Sequence, residues 1–113
     1  MAKPLLALDF DGVLCDYHSG WQGPHKLGEP VAGAAEFVRQ ATMVFNVVVF
    51  SARARHDDAV PAMKAWLRRY GVPDVPITAI KPPAFLSIDD RAICFDGTFP
   101  DVAGLLKFKT WYE

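Results

Sequence analysis

The stretch L-L-A-L-D-F-D-G, residues 5–12, joins an apolar run of strand length to two carboxylates that lie one residue apart. A run that is apolar throughout is typical of a strand buried on both faces, as in the middle of a parallel α/β sheet. Asp9 and Asp11 would then lie at the carboxyl end of this strand, which is where open α/β sheets bind ligands. Two close carboxylates repel each other, and a hard divalent ion such as Mg²⁺ is their usual neutraliser. The stretch therefore predicts a central strand with a metal site at its end, unless D-x-D-G is a simple turn.

The length and composition of the chain indicate one domain with an ordinary hydrophobic core. With 113 residues, of which 51% are hydrophobic and 12% aromatic, we predict a single domain over residues 1–113. A formal net charge of -1 provides no general attraction to nucleic acid or to membranes. No apolar run approaches the roughly 20 residues that a bilayer-spanning helix needs, and the first residues, M-A-K-P, lack a signal-peptide pattern. We therefore expect a cytoplasmic protein with no membrane partner.

Residues 13–30 are predicted to form a flap beside the first strand. The segment is rich in glycine, histidine and aromatic residues, and an irregular segment of this length is usually a functional loop. His18 and His25 lack a third partner at metal-ligand spacing, so they do not indicate a zinc site. Cys15 and Cys94 form neither a C-x-x-C motif nor a disulfide framework, so we expect both to be buried, reduced thiols.

Strands and helices alternate along the rest of the chain. Small and apolar residues at helical spacing predict a helix over residues 31–42, and branched and aromatic residues predict a strand over 44–50. A second helix, with Met63 and Trp66 in its apolar stripe, is expected to end at Gly71. The remaining predicted elements are strands over 77–80, 85–88 and 92–95, and a helix over 101–111 that turns Leu105, Leu106 and Phe108 inward. This alternation implies right-handed crossovers and a three-layer α/β/α sandwich around a mainly parallel sheet.

Polar side chains follow three of the later strands, as Asp9 and Asp11 follow the first. These side chains are Ser51, Lys81 and the pair Asp89 and Asp90. Each alone has an ordinary explanation, such as a turn, a helix cap or a solvated loop. If the strands are parallel, however, all of them emerge at one edge of the sheet, so carboxylates, a hydroxyl and an ammonium group converge there.

With these motifs in this order, the chain resembles the haloacid dehalogenase (HAD) superfamily of phosphohydrolases. The resemblance covers nearly the whole domain and consists of D-F-D-G-V at residues 9–13, Ser51 after a hydrophobic strand, Lys81, and I-D-D at residues 88–90. It implies a doubly wound, Rossmann-like (HAD-like) sheet with a flap after the first strand. Larger members carry a cap domain in the flap or after the third strand. The corresponding segments here are too short for one, so the chain resembles the small capless type.

The resemblance implies a Mg²⁺-dependent phosphatase that acts through an aspartyl-phosphate. Asp9 is suited to attack phosphorus, and Asp11 to protonate the leaving oxygen and then to activate water. Ser51 and Lys81 would hold phosphate oxygens, with Gly12 beside them in the substrate site. Dehalogenases and P-type ATPases of the superfamily differ at the second acid of the first motif, and an aspartate there favours a phosphatase.

The metal ligands are likewise implied by the resemblance. They are Asp9, the main-chain carbonyl of Asp11 and an acid of the last motif. We assign Asp90 as the direct ligand. Asp89 would contact the ion through a water molecule or hold one of the direct ligands in place.

The substrate is not identified by the sequence beyond a phosphomonoester. A capless site is open, which suits a phosphate on a large molecule, such as a nucleic-acid end, or a substrate that a neighbouring subunit of a homo-oligomer covers. A phosphorylated small molecule is the other candidate substrate. Arg53 lies close after Ser51 and could bind a second phosphate, and I-D-D-R is similar to polynucleotide phosphatases of the superfamily. We interpret Arg55 and His56 as a solvated loop.

Two other functions are weighed against the phosphatase. One is a HAD-like fold that has lost catalysis and only binds. The other is a phospho-acceptor signalling domain similar to receivers, which place an acidic pair first and a lone acceptor aspartate on a middle strand. Here the middle strand ends in Ser51 and the second acidic pair follows the lysine, so the order favours the phosphatase.

Overall fold

β1 (Leu5–Asp9) lies inside a sheet, and its three central residues are buried, as its apolar sequence predicts. The structure, a computed structural model, describes residues 2–113. Its other strands are β2 (Asn46–Phe50), β3 (Ile77–Thr78) and β4 (Leu86–Ile88). The strand order is β3-β2-β1-β4, and every neighbouring pair is parallel. The predicted α/β class with a parallel sheet is therefore confirmed.

The register of these strands brings their carboxyl ends to one edge of the sheet. Asp9, the last residue of β1, pairs with Phe50, the last residue of β2. On the other side of β1, Leu8 pairs with Ile88, so Asp89 follows at the level of Asp9. The residues that come directly after β1, β2 and β4 therefore emerge next to one another.

Two α-helices connect the first three strands. α1 (Ala34–Val44) begins later than the predicted residue 31 because Gly33 precedes it with a left-handed φ of 85°, which does not continue a helix. α2 (Ala59–Arg69) ends shortly before Gly71, whose φ of 71° stops the helix as predicted. Among residues 2–113, no helix combines the length and the apolar character needed to cross a bilayer.

Both helices pack on the same face of the sheet. In the sheet, β2 lies beside β1, and β3 lies beside β2 on the side away from β1. Because both connections move the chain the same way across the sheet, right-handed crossovers place both helices on one face. Along β2, Val47 and Val49 are buried, whereas the alternate residues are partly or fully exposed. Phe10 and Trp66 meet edge to face in this core, with ring centroids 4.9 Å apart. Burial of each large apolar side chain stabilises such a core by about 1.5–3 kcal/mol.

The predicted strand over residues 92–95 is wrong. These residues are exposed and have no regular secondary structure. An apolar run becomes a strand only where a neighbouring strand offers hydrogen bonds, and β4 at this edge is a strand of only three residues. The strands predicted over 77–80 and 85–88 are present but shorter. Each lies at an edge of the sheet, so it has a neighbouring strand on one side only.

The predicted helix over residues 101–111 is also wrong. A 3₁₀ helix, Ala103–Lys107, takes its place, and the side chains expected inside are exposed. Leu106, for example, is 91% exposed, so little packing supports a longer helix. Gly104 in the middle of the segment lowers its intrinsic helix propensity further. The helices of residues 2–113 thus supply one layer beside the sheet, and the three-layer sandwich is not confirmed.

Candidate active site

Three carboxylates meet at the carboxyl edge of the sheet. Asp9 ends β1, and Asp89 and Asp90 directly follow β4. One oxygen from each lies within 4.8 Å of the others, and all three side chains are partly buried. The two acidic pairs of the sequence, far apart along the chain, are therefore brought together by the sheet.

Burial and the neighbouring carboxylates together raise the pKa of the Asp9 carboxyl to about 8. Burial is the largest cause, because it removes the water that would stabilise the ionised form. A hydrogen bond with Asp90 and the negative charges of Asp89 and Asp90 raise it further, whereas the backbone N–H of Phe10 lowers it. That N–H donates to Oδ1 of Asp9 at 2.8 Å. Carboxylates at this spacing need either a proton or a cation between them.

The donor set fits a hard divalent cation. Mg²⁺ prefers oxygen ligands. In proteins it is usually bound by one or two carboxylates, and water molecules complete its coordination. Gly12 makes room beside the cluster: a Cβ at this position would lie 2.2 Å from Oδ2 of Asp90. Its φ of 87° also favours glycine. The predicted ligands Asp9, Asp89 and Asp90 thus lie together.

The carboxylate of Asp11 lies against Arg53 instead. Nε of Arg53 donates to Oδ2 and Nη2 donates to Oδ1, each at 3.0 Å. Nη1 donates to the carbonyl of Gly23 at 2.6 Å, and the guanidinium carbon lies 4.5 Å from the ring centroid of Trp21. Arg53 is only 3% exposed. Arg53 thus contacts both Asp11 and the flap, which spans residues 13–30.

Ser51 and Lys81 lie at the same edge of the sheet. Ser51 is 4% exposed, and its Oγ accepts a hydrogen bond of 3.1 Å from the backbone N–H of Arg53. This contact caps the 3₁₀ helix Ala52–Arg55, as the capping interpretation of Ser51 predicts. Lys81 is exposed, with Nζ 5.3 Å from the ring centroid of Phe50, the partner of Asp9 in the sheet.

A cavity of ≈ 260 Å³ lies beside Ser51 and the carboxylates of Asp9 and Asp90. Its polar lining includes Asp9, Asp11, Ser51, Arg53 and Asp90, and its aromatic lining consists of Tyr17, Trp21 and Tyr112. A second cavity of ≈ 330 Å³ lies between the flap and the same Asp11 and Arg53 side chains. The site therefore has room for a small anion beside the carboxylates and for a larger group under the flap.

Two aromatic residues that the sequence analysis missed complete one wall of the site. The hydroxyl of Tyr112 donates to Oδ2 of Asp90 at 2.7 Å. Nε1 of Trp111 donates to the carbonyl of Gly12, also at 2.7 Å. Nothing in the local sequence indicates these partners, because Trp111 and Gly12 are 99 positions apart.

The two histidines of the flap pair with carboxylates, and the two cysteines of the chain are free thiols. His18 pairs with Asp16, and Nε2 of His25 lies 2.6 Å from Oδ2 of Asp58. Cys15 is a free, buried thiol whose pKa is raised to about 12, chiefly by burial. Cys94 is also free, but it is exposed rather than buried as expected, because the segment around it does not join the sheet.

Comparisons of the chain with protein-family models, with curated proteins and with solved structures found no match.

Proposed function

We propose that this protein is a Mg²⁺-dependent phosphohydrolase that acts on a phosphomonoester through an aspartyl-phosphate. The observation that carries the proposal is the meeting of Asp9, Asp89 and Asp90 at one edge of the sheet, where Asp9, Asp90 and Ser51 line a common cavity. An all-parallel sheet with the acids after its central strand supports a HAD-like, Rossmann-like, capless fold for the domain. The proposed substrate is a small molecule or a nucleic-acid end, and the proposed location is the cytoplasm.

Asp9 is the proposed nucleophile. One of its carboxylate oxygens forms a bond to phosphorus while the bond from phosphorus to the leaving oxygen breaks. Asp11 in its protonated form, with one oxygen still accepting from Arg53, gives the proton on its other oxygen to that leaving oxygen, so that it departs as an alcohol. Asp11 then takes a proton from water, which attacks the aspartyl-phosphate and releases inorganic phosphate and the Asp9 carboxylate.

Asp9, Asp90 and the main-chain carbonyl of Asp11 would hold Mg²⁺, with Asp89 acting through water. When bound, the ion would neutralise charge on the carboxylates and on the transferring phosphoryl group. Ser51, Lys81 and Gly12 are the proposed phosphate contacts of the chain itself. A hydroxyl, an ammonium group and a backbone segment are suitable donors to phosphate oxygens.

Hydrolysis of acetyl phosphate and p-nitrophenyl phosphate tests this proposal. We expect turnover with Mg²⁺, loss of turnover with EDTA and recovery when Mg²⁺ is restored. Asp9→Asn should abolish turnover, because an amide is not a nucleophile for this step. Asp57→Asn, at an exposed position, is the matched control and should be fully active. Turnover that survives thorough metal removal, or an active Asp9→Asn protein, would refute the mechanism.

The same assay separates the two other functions. A HAD-like domain that only binds would take up Mg²⁺ and phosphate without turnover of either substrate. A receiver-like domain would accumulate a phosphorylated protein from acetyl phosphate and leave p-nitrophenyl phosphate intact.

A further inference from the structure

Arg53 is a buried cation whose three nitrogens are all engaged. Two of them donate to the two oxygens of Asp11, and the third donates to the carbonyl of Gly23. Its side chain is 2% exposed in this pair, and that of Asp11 is 17% exposed. Arginine is rarely buried unless it is paired, and a two-pronged contact of this kind fixes the plane of both groups. The contact is therefore a specific structural feature of the site.

These contacts occupy the guanidinium nitrogens that would bind the second phosphate, which the sequence suggested as a partner of Arg53. Each nitrogen already faces an acceptor, and Trp21 lies against the guanidinium, 4.5 Å away. Both Trp21 and Gly23 belong to the flap, whereas Arg53 follows β2 and Asp11 follows β1. One side chain thus joins the flap to the ends of two central strands.

We infer that Arg53 is a positioning residue that couples closure of the flap to the orientation of Asp11. Its contacts with Gly23 and Trp21 hold the flap over the site. Its two hydrogen bonds to Asp11 set the direction in which that carboxylate faces. When the flap opens, Arg53 loses its contacts with Trp21 and Gly23, and the orientation of Asp11 is no longer constrained from that side.

The first consequence concerns the flap alone and does not depend on the proposed function. Hydrogen exchange of the backbone amides in residues 13–30, followed by mass spectrometry, measures how often the flap opens. Arg53→Lys keeps a positive charge but cannot make the two-pronged contact, and it should speed exchange in this segment by about tenfold or more. Arg55→Ala is the matched control, because Arg55 is exposed and its Nε donates only to the carbonyl of Ala52 in its own turn, at 3.2 Å.

Trp21→Leu provides a second variant that avoids burying an unpaired charge. Trp21 is 50% exposed, so its replacement should be tolerated by the fold, yet it removes the ring against which Arg53 lies. Flap exchange should again become faster, while exchange in α1 and α2 stays at the wild-type rate. Unchanged flap exchange in both variants would overturn the inference, whether or not the protein is a phosphatase.

The second consequence concerns turnover, and it rests on the proposed function. If Arg53 orients Asp11 as the proton donor, Arg53→Lys should lower kcat on an alkyl phosphate by roughly 10²-fold and change KM little. On p-nitrophenyl phosphate, whose leaving group needs no proton, the loss should be several-fold smaller. Equal losses on both substrates would overturn the orienting role and assign Arg53 to the transferring phosphoryl group. Absence of wild-type activity on either substrate would instead refute the proposed function, and the flap measurement would still decide the first consequence.

Discussion

Asp9 is the residue whose surroundings depart most from those of an ordinary surface carboxylate. Its pKa of about 8 arises first from burial and then from Asp90 and Asp89. A carboxyl group with this pKa keeps its proton at neutral pH when no cation is present. A cation held by the proposed ligands would compete with this proton for the same oxygens, as it does at metal-binding carboxylates in general.

The raised pKa predicts how stability depends on pH without metal. The folded state holds the Asp9 proton up to about pH 8, whereas the unfolded chain releases it near 3.8, so between these values the folded state binds more protons. The contribution of Asp9 to the free energy of unfolding is thus fully present below about pH 4 and is lost as the pH rises toward 8. Asp9→Asn should remove this dependence and be more stable than the wild type at pH 8. Urea denaturation in EDTA at several pH values measures it, and parallel profiles for the two proteins would contradict the prediction.

Gly12 lets the loop after β1 pass close to Asp90. Gly12→Ala should destabilise the protein for two reasons, a left-handed φ of 87° and a clash of the new Cβ with Asp90. Gly97→Ala isolates the first reason, because Gly97 has a φ of 99° and no atom within 4 Å of the added Cβ. Strain from the left-handed φ costs about 1–2 kcal/mol. Urea denaturation should show that the free energy of unfolding falls by this amount in Gly97→Ala and by more in Gly12→Ala. Equal losses would show that the Asp90 side chain moves aside without cost.

At the level of elements, the segment of residues 110–113 behaves as part of the site. Thr110 is buried, Trp111 bonds to the backbone of Gly12, and Tyr112 bonds to Asp90. The rings of Tyr112 and Tyr17 meet at 6.0 Å, so the segment also contacts the flap. The segment thus supplies Tyr112 to the lining of the cavity that Arg53 and Trp21 also line.

Tyr112→Phe tests the effect of this segment on the proposed metal site. The change keeps the ring and removes the hydroxyl that holds Oδ2 of Asp90. A group that orients a metal ligand typically affects metal affinity by about 10- to 100-fold, so Mg²⁺ binding should weaken by that factor. Isothermal titration with Mg²⁺ and Mn²⁺ measures the affinity. Tyr70→Phe is the control, because Tyr70 packs against Trp66, and equal affinities in the two variants would contradict the role of Tyr112.

For the molecule as a whole, metal binding should stabilise the fold. The proposed ligands come from β1 and from the residues after β4, so the ion would join two neighbouring strands that are distant along the chain. Binding to the folded state alone adds about 2.7 kcal/mol to the free energy of unfolding when the ligand is at 100 times its Kd. The melting temperature should therefore rise with Mg²⁺ in the wild type at pH 8 and rise less in Asp9→Asn. An equal rise in both proteins would place the ion elsewhere.

The surface of the molecule shows where the sequence pattern and the fold disagree. Large apolar side chains between residues 85 and 106 are exposed, including Phe85, Ile93, Phe95, Phe99 and Leu106. The apolar character of Ile93 and Phe95 led to the prediction of a strand, and that of Leu106 to the prediction of an inward-facing helix. Apolar character alone does not distinguish a buried element from an exposed one, because burial requires a surface on which to pack.

The sequence by itself determined the central strand, the two helices and the parallel direction of the strands. The apolar run of residues 5–8 and the β-branched run before Phe50 predict buried strands because each carries its signal within a few residues. The apolar stripe of α2, with Met63 and Trp66, and its stop at Gly71 are equally local signals. The meeting of Asp9 with Asp89 and Asp90 could also be predicted, because parallel strands bring their carboxyl ends to one edge.

Only the tertiary structure decided which side chains surround that edge. The pairing of Arg53 with Asp11, the hydroxyl of Tyr112 on Asp90 and the exposure of residues 92–95 depend on how distant segments pack. A side chain finds such a partner through the geometry of the whole fold, and no spacing within the sequence encodes it. Local patterns therefore specify the strands and helices, whereas contacts between remote segments specify the walls of the site.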